Sequence, residues 1–221
     1  MSGAGRLIVL EGTDGSGKST QYQMLCAALR ERGAAFHNIV FPRYGEPSSA
    51  LCSMYLQGAF GTEPDAVNPH AASVLYSVDR FASFRLDWGE CYNAGGLILA
   101  DRYTTSNAVH QGAKLSPGER EAYFEWLFDF EYNKMELPAP DQVILLDLPV
   151  DCALARIAGR ERTADIHERS GEYLTRSRDS ALHAARRYGW TVIDCAPDGK
   201  ALSPDEVHRC VIQNIRLPDG V

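Results

Sequence analysis

No C-x-x-C pair occurs among the six cysteines of this 221-residue chain (Cys26, Cys52, Cys91, Cys152, Cys195 and Cys210). That removes the usual signatures of zinc ligation and of a disulfide framework, and it fits a reducing, cytoplasmic setting with the thiols serving as small buried hydrophobes. No apolar run approaches the roughly 18 residues of a membrane helix. The short run Leu7 to Leu10 passes directly into a glycine loop, so neither a secretory leader nor a membrane partner is expected. Lysine is scarce: Lys18, Lys114, Lys134 and Lys200 stand among 22 basic residues, and the remainder are arginines. With 29 acidic residues the net charge is −7, which argues against a general nucleic-acid or anionic-membrane binder. Arginine's planar fork suits bidentate phosphate contacts, so a local anion site remains compatible with this acidic balance, although genome composition is the commoner source of such a bias. Internal repeats, low-complexity tracts and Pro/Ser-rich linkers are also lacking. Length and composition fit one well-filled domain over residues 1–221.

What is present is a series of short apolar runs: 6–12 (RLIVLEG), 36–42 (FHNIVFP), 97–103 (LILADRY), 142–149 (QVILLDLP) and 190–195 (WTVIDC). Several are nearly continuous in β-branched and aliphatic residues, as strands buried on both faces are. Between them lie helical patterns. Tyr22, Leu25, Cys26 and Leu29 recur at near-helical spacing over 19–32, with Gly33 as the stop; 69–92 and 117–135 are longer candidates. Strands alternating with helices predict a doubly wound parallel sheet covered on both faces. The segment 156–171 (RIAGRERTADIHERSG) is dense in charge and poor in large apolar residues, as a solvated surface or a lid would be.

Gly12 to Ser19 (GTDGSGKS) matches G-x-x-x-x-G-K-[ST]. Average residue usage produces this pattern by chance in roughly one chain in a hundred of this length, so its setting between a strand pattern and a helix pattern carries the assignment. Gly12, Gly15, Ser16, Gly17 and Thr20 let backbone N–H groups gather phosphate, Lys18 reaches the outer phosphates, and the Ser19 hydroxyl ligates Mg²⁺. Asp101, at the carboxyl end of a strand, is placed to hold a water of the Mg²⁺ shell, and Arg102 to bind an acceptor phosphate. A structural ion pair at a strand end is the alternative for these two. Asn133-Lys134-Met135-Glu136 imitates a guanine-recognition motif but closes a helical pattern, and it reads as a helix terminus with a basic residue near the dipole.

These residues bring the chain to a family. It resembles the thymidylate (dTMP) kinases along nearly its whole length, through 9–21 (VLEGTDGSGKSTQ), 41–43 (FPR), 74–80 (VLYSVDR), 101–113 (DRYTTSNAVHQGA) and 156–168 (RIAGRERTADIHE). The P-loop is generic, and the last three segments in this order are specific. The resemblance implies a P-loop NTPase-type fold of five parallel strands with a short helical lid at about 156–171, ATP and dTMP as substrates, Mg²⁺, and a homodimer. It assigns Arg43 and Arg102 to the acceptor monophosphate, Tyr76 to stacking on thymine, and Arg80 to hydrogen bonding of the base. Ser106 and Gln111 line the base pocket, and Asp14 contacts the acceptor sugar. His110 stands where the family commonly carries a Tyr that contributes to sugar discrimination. The P-loop carries no arginine, whereas the lid carries Arg156, Arg160 and Arg162, so the chain resembles members whose catalytic arginine comes from the lid. Arg160 is the first choice and Arg162 the second. A kinase of another nucleoside monophosphate or of a deoxynucleoside is a second reading, and a P-loop switch is a third.

Overall fold

The computed structural model describes residues 4–158 and 171–218. Arg160, Arg162 and most of the expected lid therefore lie outside the described residues. Five parallel strands, β1 (Arg6–Gly12), β2 (Phe36–Val40), β3 (Leu97–Asp101), β4 (Gln142–Asp147) and β5 (Thr191–Asp194), form one sheet in the order β2-β3-β1-β4-β5. β1 is central, and its stretch Leu7 to Leu10 is continuously apolar for a physical reason: each face of the sheet is covered, so both sets of alternating side chains are buried. Ile8 and Leu10 pack with Tyr22, Leu25 and Leu29 of α1 (Lys18–Glu31) on one face. Leu7 and Val9 pack with Phe41, Trp88 and Tyr103 on the other. Full burial of each such aliphatic contributes about 1.5–3 kcal/mol, so the run that feeds the glycine loop is firmly held.

After β1 the chain moves first toward β2 at one edge and later crosses to β4 on the other side. This switch point opens a crevice beside the carboxyl end of β1. Several helices follow β2. They are α2 (Ala50–Leu56), α3 (Pro69–Ser83), a π-helical stretch Phe84–Trp88, and α4 (Gly89–Asn93). The long pattern over 69–92 is thus helical throughout but broken by a π turn. Gly89 is required there, because a Cβ on it would sit 2.3 Å from the Phe84 carbonyl oxygen. Similarly, 117–135 divides into α6 (Pro117–Phe128) and a π stretch Asp129–Lys134, preceded by α5 (Thr104–His110). Asn133 and Lys134 end that stretch as a helix terminus, with Asn133 Nδ2 donating to Asp129 Oδ1 at 2.9 Å. α7 (Val150–Ala158), α8 (Gly171–Tyr188) and α9 (Pro204–Asn214) complete the layers.

Candidate active site

A cavity of about 290 Å³ opens at the carboxyl edge of the sheet. Residues 13–20 form one wall, so all of the expected phosphate-loop residues reach it except Gly12, which closes β1. Tyr76, Arg80, Asp101, Arg102, Ser106, His110 and Gln111 also line it. Arg43 does not line the cavity. Its Nε donates to Asp79 Oδ1 at 3.3 Å and its Nη2 to Ser48 Oγ at 3.1 Å, while its backbone N–H donates to Asp79 Oδ2 at 2.8 Å. The guanidinium expected to meet a monophosphate is held by an internal carboxylate.

Gly17, in the left-handed region at φ 91°, caps α1 and turns the chain into it. Gly15 has φ +83°, and a Cβ there would lie 2.7 Å from the Ala153 carbonyl oxygen. Helix α7 therefore occupies the space a side chain at 15 would need, which explains in physical terms why this loop carries no arginine at that position. From the same helix, Arg156 Nη1 donates to the Ser16 carbonyl at 3.2 Å, and its Nη2 to that of Leu202 at 3.2 Å.

Lys18 is buried and its ammonium pairs with Asp101 Oδ1. Burial pulls the Lys18 ammonium below its ordinary pKa and the nearby Arg102 adds to that, while Asp101 and Glu11 oppose it. Arg102 behaves in the opposite way. Burial alone would lower it, but Asp14, Glu11 and Asp101 outweigh burial and hold the guanidinium firmly charged. Arg102 Nη2 donates to Asp14 Oδ1 at 2.7 Å, and Nη1 lies 2.7 Å from His110 Nε2, which accepts as a ring nitrogen. Asp14 thus turns toward Arg102.

Elsewhere in the lining, Tyr76 packs edge-on against Tyr55, with centroids 6.1 Å apart, and burial raises its phenol well above the ordinary value. Tyr55 is pinned in turn by Lys114, whose Nζ donates to the Tyr55 hydroxyl at 2.9 Å and to the Val67 carbonyl at 2.7 Å. Arg80 is sealed from solvent beside Glu131, its Nε donating to Oε2 at 2.7 Å. The pair leaves Nη1 as the Arg80 nitrogen not taken by the carboxylate; its protein contact is a 3.5 Å approach to the Tyr103 carbonyl.

Sequence reasoning missed Glu131, Glu11, Asn107 and Tyr44. Asn107 and Tyr44 line the cavity. Asn107 sits inside the quoted stretch 101–113 one residue after Ser106, and Tyr44 directly follows FPR, so adjacency was the available signal. Glu11 is completely buried and accepts from Thr105 Oγ1 at 2.6 Å and from Ser106 Oγ at 2.8 Å; burial raises its pKa, opposed by Arg102, Thr105, Lys18 and Ser106.

Three comparisons bear on this arrangement. A family model described as thymidylate kinase matches residues 10–205. Among curated relatives, thymidylate kinase of Mycobacterium tuberculosis (strain H37Rv) is 31% identical over 216 residues, spanning 91% of this chain and 99% of the relative. That of Synechococcus sp. (strain WH7803) is 30% identical over 210 residues, spanning 94% and 93%. A solved structure of thymidylate kinase from Candida albicans matches with a TM-score of 0.69 at 22% identity, over 95% of this chain and 90% of that one, which establishes likeness of fold.

Proposed function

The chain belongs to the thymidylate kinase family, and we infer from that membership and from its cavity that it transfers the γ-phosphoryl group of ATP to dTMP, giving dTDP and ADP on the way to dTTP. The observation that carries the reading is the meeting of Lys18, Asp101 and Arg102 in one cavity that the phosphate loop, Tyr76 and Arg80 also line.

Phosphoryl transfer asks for alignment and for positive charge around the moving group rather than for a covalent intermediate. The backbone N–H groups of the loop and Lys18 are assigned to the ATP phosphates. Arg102 is assigned to the acceptor monophosphate, and Arg43 joins it only by leaving Asp79. Tyr76 is the stacking surface for thymine and Arg80 Nη1 its hydrogen-bond donor, with Ser106, His110 and Gln111 along the base and sugar. The acceptor phosphate is already nucleophilic near neutral pH, so no strong general base is required. Arg160 and Arg162 are assigned to the transferring group, within a lid at about 156–171 of a single domain spanning 1–221.

Mg²⁺ fits the donor set, a Ser19 hydroxyl and the Asp101 carboxylate that both line the cavity as hard oxygen donors. Among the described residues no group of three or more His, Cys, Asp or Glu forms a cage by itself, so the fit is to an ion that arrives with nucleotide phosphate oxygens. When bound, that ion neutralises charge on the phosphates. Ser19 would hold it directly and Asp101 through water, while Lys18 stays in place on Asp101.

A homodimer is proposed through α3, where Val74, Val78 and Phe81 fall on one face and are 37%, 43% and 41% exposed. Among the described residues no helix is long and apolar enough to cross a membrane. The six cysteines are all free thiols, which supports the proposed cytoplasmic location.

The decisive test is steady-state ATP consumption with dTMP, dUMP, UMP and thymidine as acceptors, with and without Mg²⁺. dTMP is expected to have the highest kcat/KM. A better rate with thymidine or UMP would overturn the reading.

A further inference from the structure

Arg102 is a non-glycine residue in the left-handed region, at φ 68°. A side chain rarely adopts this conformation unless the surroundings impose it. Here they come from the end of β1. Leu10 accepts the Arg102 N–H on its carbonyl at 3.2 Å. The next residue, Glu11, accepts the Tyr103 N–H on Oε1 at 3.3 Å. The two peptide N–H groups that flank the strained turn are thus both tied to consecutive residues of one central strand.

Glu11 does more than accept a backbone N–H. Its carboxylate also takes the Thr105 hydroxyl at 2.6 Å and the Ser106 hydroxyl at 2.8 and 2.9 Å. Because the Ser106 proton is committed to Glu11, Ser106 Oγ meets Arg102 Nη1, at 3.4 Å, only as an acceptor. A relay results in which Glu11 accepts from Ser106 and Ser106 accepts from the Arg102 guanidinium. Arg102 is therefore held by the same buried carboxylate through its backbone neighbour and through its side chain.

We propose that Glu11 is a positioning residue of the kinase reaction, a carboxylate that never touches substrate but aims Arg102 at the acceptor phosphate and orients Ser106 as a hydrogen-bond acceptor. The inference rests on the assignment of Arg102 to the acceptor monophosphate. Every donor found at Glu11 belongs to the 102–106 corner, and none belongs to the residues that meet ATP. The hydrogen bonds lost with Glu11 are therefore all on the acceptor side, and Glu11 reaches Lys18 only through its charge.

Glu11→Gln tests this, because the amide matches the carboxylate in size but presents an N–H where Ser106 and Thr105 present theirs. KM for dTMP is expected to rise about tenfold while KM for ATP stays within about threefold, a split that simple loss of folded protein does not produce. Thr105→Val removes one donor and leaves the carboxylate; it is expected to raise KM for dTMP by about threefold, and the double variant to be no worse than Glu11→Gln alone. Equal changes in both KM values, or no change, would overturn the proposal, as would additive effects in the double variant. If Glu11→Gln does not fold, Thr105→Val decides, and an unchanged KM for dTMP counts against the proposal. Wild-type enzyme that turns over no dTMP would instead refute the functional reading on which this rests.

Discussion

Arg80 and Glu131 meet as a forked ion pair shut off from solvent, Nε on Oε2 at 2.7 Å and Nη2 on Oε1. Ser77 Oγ and Thr104 Oγ1 complete the shell at 2.7 and 2.6 Å, so α3, the π stretch 129–134 and α5 share one carboxylate. Removing one partner strands a buried charge, which costs about 3–5 kcal/mol. Glu131→Ala is expected to lose that much stability in urea titrations. At a temperature where it stays folded, it should lose discrimination between dTMP and other monophosphates before it loses ATP binding. Unchanged selectivity would detach Arg80 from base recognition.

Gly15 is closed to side chains by its own φ and by Ala153. Gly15→Arg, which installs in the loop the cation that the resemblance assigns to the lid, is expected to lower kcat/KM for ATP by more than about tenfold, because the loop must shift before the cation can reach a phosphate. An increase in kcat would show that α7 yields and that the loop tolerates a catalytic arginine.

If the positive charge comes from the lid, Arg160→Ala or Arg162→Ala should lower kcat by about a hundredfold, in the range seen when one transition-state donor is removed. KM for both substrates should change little. Arg156→Ala is the contrast: that side chain braces the Ser16 and Leu202 carbonyls, so its loss should appear in stability as well as in KM for ATP. Near-wild-type kcat in both lid variants would return the search to Lys18 and Arg102.

Lys114 introduces a pH dependence of stability. Burial lowers its ammonium to about 8, against the ordinary 10.5. The unfolded chain therefore holds more of this proton between about pH 8 and 10.5, and stability contributed at this position rises with pH across that window. Below it both states are protonated and the penalty for burying the charge is fully present. A neutral amine keeps two N–H groups, enough for the Tyr55 hydroxyl and the Val67 carbonyl. The difference in unfolding free energy between wild type and Lys114→Met should shift toward wild type from pH 8 to 10.5. A flat difference would show that the ammonium is solvated.

The strands and the cavity's donor side were legible because the signals there are local. A sheet covered on both faces demands continuous apolar runs, and the phosphate loop demands glycines at fixed spacing, so β1 begins and ends with RLIVLEG. Legibility faded at the carboxyl ends. The runs 36–42 and 97–103 overshoot β2 and β3 by two residues each, since after Phe41 and at Arg102 (φ 68°) the backbone turns out of the sheet and hydropathy does not register that turn. The π turns within 69–92 and 117–135 keep enough helical period to be read as uninterrupted. What escaped altogether were the buried carboxylates. Glu131 meets Arg80 and Glu11 meets Thr105 across separations of 51 and 94 residues, and a single sequence holds no record of such pairs. The hold of Asp79 on Arg43 was out of reach for the same reason, the two lying 36 residues apart.

Asp14 separates two accounts of an acid inside a phosphate loop. If its carboxylate faced the phosphates, removing the charge would relieve repulsion and tighten nucleotide binding. The geometry directs it elsewhere, because Oδ1 accepts from Arg102 Nη2 at 2.7 Å, and Arg102 is in turn braced by His110 Nε2. A charge-assisted hydrogen bond of this kind contributes about 1.5–3 kcal/mol, corresponding to roughly 10- to 100-fold in an equilibrium constant. Asp14→Asn keeps the shape and removes the charge. It is expected to raise KM for dTMP within that range, with KM for ATP nearly constant, measured by varying each substrate at saturation of the other. A fall in KM for ATP would mean that the acid does confront the phosphates and that its pairing with Arg102 is incidental.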